Sequence, residues 1–450
     1  MAIFENAPED FDFPQLREIT EAENLAQKLQ HHLGPSFASG EMQVEACTIE
    51  HVYYKPGGDC RIAFTANISR RNGPDRDQQI FFGKLLRKEK QRKVKVWLEA
   101  DNLVQPKFGT PVFYIPEWAM PVWAFPNDQN LPGLPLMANA EKVLALAQAA
   151  PQKFGLNHPP LAVTAELTKY VPGTRCGYLY HMQLPVSNNS SFTVYGKVYG
   201  KGKGERAYAI MRQIWESEAC QRGDFILPQP YRYDPEMQII WQEAFSGRPL
   251  AKIAETIPHF PQVVQEIGTR LAAFHNSRLQ LPLEMTFDFQ VEDMQQAIKA
   301  IGRAFPEHAQ SCTAIGQKLL HAAARIGSGP LTPLHGSFKF SHIFATEKGI
   351  AFIDFDGANL GDPGFDLGRF LAHLYRMQAH GKIDPDLAEQ TATNFCESYH
   401  RAACSAISQE RINWFAASHL VTSEMYKAVK NMDTTMLSEL FEIADRLCPS

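Results

Sequence analysis

The chain has 450 residues, 44% hydrophobic and 21% charged, which is enough apolar material to bury the cores of roughly two to four domains. A formal net charge of −5 provides no global positive field, which excludes recruitment of nucleic acid or an anionic membrane by bulk electrostatics. Eight cysteines without a C-x-x-C pair argue against a zinc site or a disulfide framework.

The N-terminus, MAIFENAPEDFDF, is acidic and lacks a secretory pattern, and no uncharged apolar run approaches about eighteen residues. A cytoplasmic protein with reduced thiols and no membrane contact is the expectation. Residues 14–33 carry Leu16, Ile19, Leu25, Leu29 and Leu33 on a helical stripe. From about residue 44 the pattern changes to strands. HVYYKPGGDCRIAFTANI places aromatic and β-branched residues around a Pro-Gly-Gly turn, a hairpin signal. A polar loop, RRNGPDRDQ, leads to the apolar strand Ile80–Leu86, which carries Gly83-Lys84, and then to a helix around Trp97.

The series then repeats. ELTKYVPGTRCGYLYHMQL is a second hairpin in which Pro56 and Cys60 recur as Pro172 and Cys176. After the polar loop PVSNNSS, Gly83-Lys84 recurs as Gly196-Lys197, and Trp97 recurs as Trp215. Pro111-x-x-Tyr114-x-Pro116-Glu117 recurs as Pro230-x-x-Tyr233-x-Pro235-Glu236. An ordered series at near-constant spacing implies a duplicated β-rich unit. A helical linker, MANAEKVLALAQAAPQKFGL, joins the copies and ends at Gly155 and the Pro159-Pro160 break.

After residue 250 the chain reads as helical. AETIPHFPQVVQEIGTRLAAFHNSRL presents Val263, Val264, Ile267, Leu271 and Phe274 on one face, and a second helix covers about 308–326. Two short strands lie within HIFATEKGIAFIDF, and helices run from 365 to the end. The domain expectation is an N-terminal helical segment (1–43), a first β-rich unit (44–140), a helical linker (141–160), a second β-rich unit (161–250) and a helical part (251–450).

Residues 335–342 read His-Gly-Ser-Phe-Lys-Phe-Ser-His. Kinase catalytic loops follow H-R-D-x-x-x-x-N, with a metal-binding Asp on a nearby strand. On that template His335 falls on the His, Ser337 on the proton-accepting Asp, His342 on the metal-binding Asn and Asp354 on the metal-binding Asp. The segment continues Ile353-Asp354-Phe355-Asp356-Gly357-Ala358-x-x-Gly361-Asp362-Pro363-x-x-Asp366-Leu367. Together these motifs resemble the aminoglycoside phosphotransferase and choline kinase superfamily, whose fold is protein-kinase-like. Lys197, WQEAFSGRPL (241–250) and IGTRLAAFH (267–275) support the resemblance, which covers about residues 160–375.

The resemblance implies an α+β, two-lobed protein-kinase-like fold with a duplicated N-lobe-like unit and a helical C-terminal lobe. It implies ATP and Mg²⁺ as cofactors, with residues 161–250 as the nucleotide-binding lobe and 251–450 holding the catalytic loop and acceptor site. Lys197 would contact the α- and β-phosphates, held by Glu216 as first choice or Glu205 as second; Lys84 is its counterpart in the first copy. Asp354 would reach a nucleotide-bound magnesium, and Asp356 would join the metal or support the loop. Lys339 is a γ-phosphate stabiliser, while His335 and Asp366 brace the catalytic loop. The base pocket would lie at 241–248, with Trp241, Glu243 and Phe245 as its residues. Gly200-Lys201-Gly202-Lys203-Gly204 is a basic, glycine-rich loop after the lysine strand.

Two positions depart from the template. A serine hydroxyl cannot accept a proton at neutral pH as a carboxylate does, and loss of a positioned base typically costs about 10²–10⁴ in rate. Imidazole is a poor magnesium ligand at position 342, and manganese tolerates it better. One reading is a small-molecule kinase acting on a sugar, amino sugar or amino alcohol hydroxyl, with Ser337 in the base position and Asp356 as a relocated base. The alternative is a pseudokinase that binds nucleotide or a protein partner, the latter through residues 44–140.

Overall fold

The computed structural model describes residues 13–54, 58, 60–71, 73, 76–87, 91–92, 94–100, 103–185, 191–200, 202–253, 260–431 and 434–448. The first hairpin's Pro56-Gly57 turn, Lys201, residues 186–190 of the second polar loop and residues 254–259 lie outside the described residues. The chain divides into two compact units. One comprises 1–204 with 234–240 and 427–434, and the other 205–233 with 241–426 and 435–450.

The helix expected over 14–33 is two helices, Leu16–Ile19 and Ala22–His32. The break is at Thr20, whose hydroxyl donates to the Arg17 carbonyl at 2.8 Å, and Glu21 is extended. A hydroxyl that turns back on the preceding carbonyls competes with helix continuation. The apolar stripe still works, because Leu16, Ile19, Leu25, Leu29 and Leu33 are all buried.

Strands β1 (Met42–Tyr54), β2 (Cys60–Arg70), β3 (Arg76–Leu85), β4 (Val112–Ile115) and β5 (Met120–Ala124) form a sheet in the order β1-β2-β3-β5-β4. Alternate residues of β2, including Ile62, Phe64, Ala66 and Ile68, are buried, as the two-residue period of a strand requires. A second sheet follows from β6 (Ala162–Val171), β7 (Arg175–Gln183), β8 (Ser191–Tyr199), β9 (Pro230–Asp234) and β10 (Ile239–Glu243), in the order β6-β7-β8-β10-β9. The two orders are the same, and so is the register at the repeated motif. Lys84 pairs with Arg61 next to Cys60, and Lys197 pairs with Gly177 next to Cys176. Trp97 sits on the helix Val94–Leu98 between β3 and β4, and Trp215 ends the helix Gly204–Trp215 between β8 and β9. The duplication read from the sequence is therefore a duplication of structure.

The second unit is mainly helical, with six three- or four-residue strands. These are β11 (Gly247–Pro249), β12 (Leu283–Met285), β13 (Thr332–Leu334), β14 (Ile343–Thr346), β15 (Gly349–Phe352) and β16 (Asn359–Gly361). They pair as β11-β14-β15 and β12-β16-β13. In the helix Phe260–His275, Val264, Ile267, Leu271 and Phe274 are fully buried, while Val263 lies at the rim. Gly268 of this helix meets the helix Pro385–Ala402 closely: a Cβ there would lie 2.2 Å from Ser398 Oγ and 2.6 Å from the Phe395 carbonyl. That close crossing brings His275 and Tyr399 together. A further helix, Phe287–Ala304, buries Phe287, Met294, Ala297 and Ile301. Among the described residues no helix is long and apolar enough to cross a membrane.

Candidate functional site

Strand β13 delivers the chain into His335, and β15 delivers it into Asp354. The two connections meet at glycine. Gly336 has φ +75°, and a Cβ there would lie 1.9 Å from the Gly357 carbonyl oxygen. The loops thus touch backbone to backbone, which a side chain at position 336 would prevent.

One buried carboxylate organises the first loop. Asp366, in the first turn of the helix Gly364–Ala379, is fully buried and accepts from the backbone N–H of His335 at 2.6 Å and of Gly336 at 3.0 Å. Its Oδ2 also lies 3.2 Å from His275 Nε2, whose other ring nitrogen is 2.8 Å from the Tyr399 hydroxyl. A carboxylate only accepts, so the His275 proton is on Nε2 and Nδ1 takes the Tyr399 hydroxyl hydrogen. Burial and the nearby Asp366 charge both push the Tyr399 phenol up, keeping that hydrogen in place. Next along the chain, Asp362 accepts from Gly364 N at 2.9 Å and from Arg411 at 2.5 Å, which fixes the start of the helix that carries Asp366.

His335 is fully buried, donates Nε2–H to the Ile353 carbonyl at 3.0 Å and packs on Phe355 with ring centroids 4.4 Å apart and the rings tilted by 35°. It ties the first loop to the strand leading into Asp354. Asp354 itself has φ +68°, an uncommon conformation for a residue with a Cβ, and strain of this kind collects at functional sites.

Ser337, half-buried, has its Oγ 3.2 Å from His342 Nδ1, 3.2 Å from the Asp354 carbonyl and 3.5 Å from His335 Nδ1. The other nitrogen of His342, Nε2, is 3.3 Å from Asp354 Oδ2. Serine, imidazole and carboxylate therefore form a chain across the loop. The Ser337 hydroxyl donates to the Asp354 carbonyl, and the Asp354 carboxylate faces His342 Nε2.

The structure brings His335, Ser337, His342, Asp354 and Asp366 together, with Lys339 and Asp356 half-buried on the same two loops. His342 turns both ring nitrogens to protein partners, so in this arrangement it is not the metal ligand the template suggested. Glu216 pairs with Arg212 at 2.7 Å on an exposed helix face, so its carboxylate already has a cation. Trp241 is 1% exposed and belongs to the core, with no face left for a nucleotide base. Glu243 holds Lys348 at 2.9 Å and accepts from Gln229 N at 3.1 Å; Phe245 is half-buried. Lys197, in the other unit, is buried in the second sheet with its ammonium 4.8 Å from the Tyr199 ring centroid. The residues missed in the sequence were His275 and Tyr399. IGTRLAAFH contains the first, but nothing local marks a partner 124 positions away.

Among the described residues no three His, Cys, Asp or Glu side chains form a metal cage. Asp354 and Asp356 are the half-buried carboxylates of the second loop that could ligate a magnesium ion, which needs only one or two protein carboxylates.

Burial has a consequence for pH. It holds the imidazoles of His335 and His419 below the ordinary 6.5, while the Asp366 and Asp354 charges oppose it at His335 and Arg369 reinforces it at His419. Folding disfavours protonation of both, and the unfolded chain takes up protons near 6.5, so their contribution is complete above that pH and is lost as pH falls below it. The slope is up to about 1.4 kcal/mol per pH unit for each group. We expect the urea midpoint to fall between pH 7.5 and 5.5, with His419→Gln flattening the slope by about one proton. A midpoint that stays constant in that range would contradict this.

Residues 204–403 match the model of a family described as phosphotransferase enzyme family. No curated protein matches. Solved structures that are similar include a choline kinase from Cryptosporidium parvum (12% identity, TM-score 0.48, covering 69% of this chain and 95% of that one). A choline/ethanolamine kinase family protein from Mesorhizobium loti gives 14% identity and TM-score 0.45, covering 70% of this chain and 95% of that one. A putative aminoglycoside phosphotransferase from Ralstonia eutropha gives 16% identity and TM-score 0.45, covering 68% and 98%.

Proposed function

We propose that the chain, whose residues 204–403 match the phosphotransferase enzyme family, transfers a phosphoryl group from ATP to a hydroxyl of a small molecule, with sugars, amino sugars and amino alcohols as the acceptor classes. The observation that carries this reading is the Asp366-braced loop, which presents Ser337 beside Asp354 and carries Lys339 two positions on. Phosphoryl transfer depends mainly on positioning and charge neutralisation, and a fixed loop with one cation and two carboxylates supplies the means for both.

In this reading Asp354 and Asp356 would hold the magnesium that neutralises the phosphates of ATP. Lys339 stabilises charge on the transferred group. The acceptor's proton passes to Ser337 Oγ as the hydroxyl turns its own hydrogen from the Asp354 carbonyl to His342 Nδ1, the opposite nitrogen of that ring facing the Asp354 carboxylate. Hydroxyl and imidazole together then do what a single carboxylate does in the usual loop. Asp356 is the second candidate for that proton. Lys197 steadies the α- and β-phosphates.

The test is ATP-dependent transfer over a panel of sugars, amino sugars and amino alcohols, with ATP binding measured by calorimetry in Mg²⁺ and Mn²⁺. Asp354→Asn is expected to lower the single-turnover rate about 10²–10³-fold. If neither metal–nucleotide pair binds, the proposal is lost. A second reading, nucleotide binding without transfer, is favoured by the His342–Asp354 contact, which occupies an oxygen that a metal would use. Transfer that is absent in the wild type and gained in Ser337→Asp would decide for it.

A further inference from the structure

The first β-rich unit has the strands of the second but has diverged at one position of the shared register. Opposite Lys197 stands Gly177, and opposite Lys84 stands Arg61. At Gly177 a Cβ would lie 2.1 Å from the Tyr195 hydroxyl, so a side chain there would have to displace the Tyr195 ring that takes its place in the second copy.

Arg61 does not stay within its own sheet. Its guanidinium lies 5.7 Å from the Tyr53 ring centroid, and its Nη1 donates to the Pro172 carbonyl at 2.8 Å and approaches Thr174 Oγ1 at 3.4 Å. Pro172, Gly173 and Thr174 are the turn joining β6 to β7. The segment after β5 grips the same turn. Asp128, 7% exposed, accepts from Gly173 N at 2.6 Å, from the Tyr170 hydroxyl at 2.9 Å and from Asn130 N at 3.0 Å. Gly173 has φ +67°, and a Cβ on it would meet Asn130 Nδ2 at 3.0 Å and Arg61 Nη1 at 3.2 Å. Gly200 N, just past β8, donates to the Thr174 carbonyl at 2.9 Å.

The register also locates this turn. Arg175 pairs with Tyr199 and Gly177 with Lys197, so the turn projects from the end of the sheet that carries Lys197. In kinase-type sites the turn between the first two strands covers the phosphates. Such a turn normally has to be ordered when nucleotide arrives, which weakens binding.

We propose that the first β-rich unit is a built-in brace for this turn, and that Arg61 and Asp128 are positioning residues for the nucleotide. The inference rests on the reading of Lys197 as a phosphate contact. It gives the duplicated unit a task that requires no partner protein: it holds the turn in the bound geometry before ATP enters.

The experiment uses the full chain with Arg61→Met, Arg61→Lys and Asp128→Asn. Hydrogen exchange at the amides of residues 170–175 is followed without nucleotide, and the Kd for ATP–Mg²⁺ is measured by calorimetry. Arg61→Met and Asp128→Asn are expected to speed exchange at Gly173 and Thr174 and to raise Kd about tenfold, the equivalent of one backbone residue left unordered. Arg61→Lys keeps a donor to Pro172 and is expected to restore most of both. Arg61 is only half-buried, so Arg61→Met carries the test if Asp128→Asn does not fold. Unchanged exchange overturns the brace. Faster exchange with an unchanged Kd overturns the positioning role. A wild-type protein that binds no nucleotide removes the proposed function and with it the positioning role, while exchange still judges the brace.

Discussion

Asp366→Ala is expected to destabilise the protein by about 3–5 kcal/mol, the usual result of removing one partner from a buried ionic network. The substitution leaves the N–H groups of His335 and Gly336 and the Nε2–H of His275 without their acceptor in a site that water does not reach. Each such donor carries a desolvation penalty of about 1–3 kcal/mol. Asp366→Asn keeps one carbonyl oxygen and the side-chain volume, so it should cost less, but its amide hydrogens then face donors. Urea unfolding of the two variants checks this. The order wild type, Asn, Ala in midpoint is expected, with phosphoryl transfer lost in Ala even at temperatures where the variant is folded. If Ala unfolds at the wild-type midpoint, Asp366 is not the organiser of the loop.

Gly336→Ala is expected to cost about 2–5 kcal/mol, combining an L side chain in the left-handed region with overpacking against a backbone atom. The overpacking part is the informative one, because the added Cβ would point at the Gly357 carbonyl, which cannot rotate away as a side-chain end would. A control separates the two parts. Gly381 has φ +65° with nothing within 4 Å of a built Cβ, so Gly381→Ala carries only the conformational cost, about 1–2 kcal/mol. Denaturation midpoints should place Gly336→Ala clearly below Gly381→Ala. Equal midpoints would mean that the two loops can move apart freely.

Most of the loop was legible from sequence because its chemistry is local. The positions of His335, Ser337, Asp354 and Asp366 follow from spacing within some thirty residues, and the structure gathers them as that spacing implied. The repeat was legible for a different reason: Tyr-Pro-Gly-Cys, Gly-Lys and Tyr-Pro-Glu each mark a turn or strand whose order is preserved in both sheets. What stayed hidden depends on distant contacts. His275 meets Asp366 across 91 positions, and Arg61 reaches Pro172 across 111, and no short window contains either pair. The three-residue strands β12, β13 and β16 are too short for any hydrophobic period to register. Trp241 is the opposite case: the resemblance implies a pocket residue, and the side chain lies in the core, where large apolar side chains more often belong.

The contrast between Gly177 and Arg61 also bears on how the two copies came to differ. A duplicated unit begins with interchangeable halves, each free to lose what the other keeps. In one copy Tyr195 stands over the glycine, its hydroxyl 2.1 Å from where a Cβ would be. In the other, the arginine at the same register holds the Pro172 carbonyl of the neighbouring turn. An exchange of side chains at this one position would displace the Tyr195 ring on one side and release Pro172 on the other. The two copies share a strand order and are not interchangeable at the residue that faces the lysine.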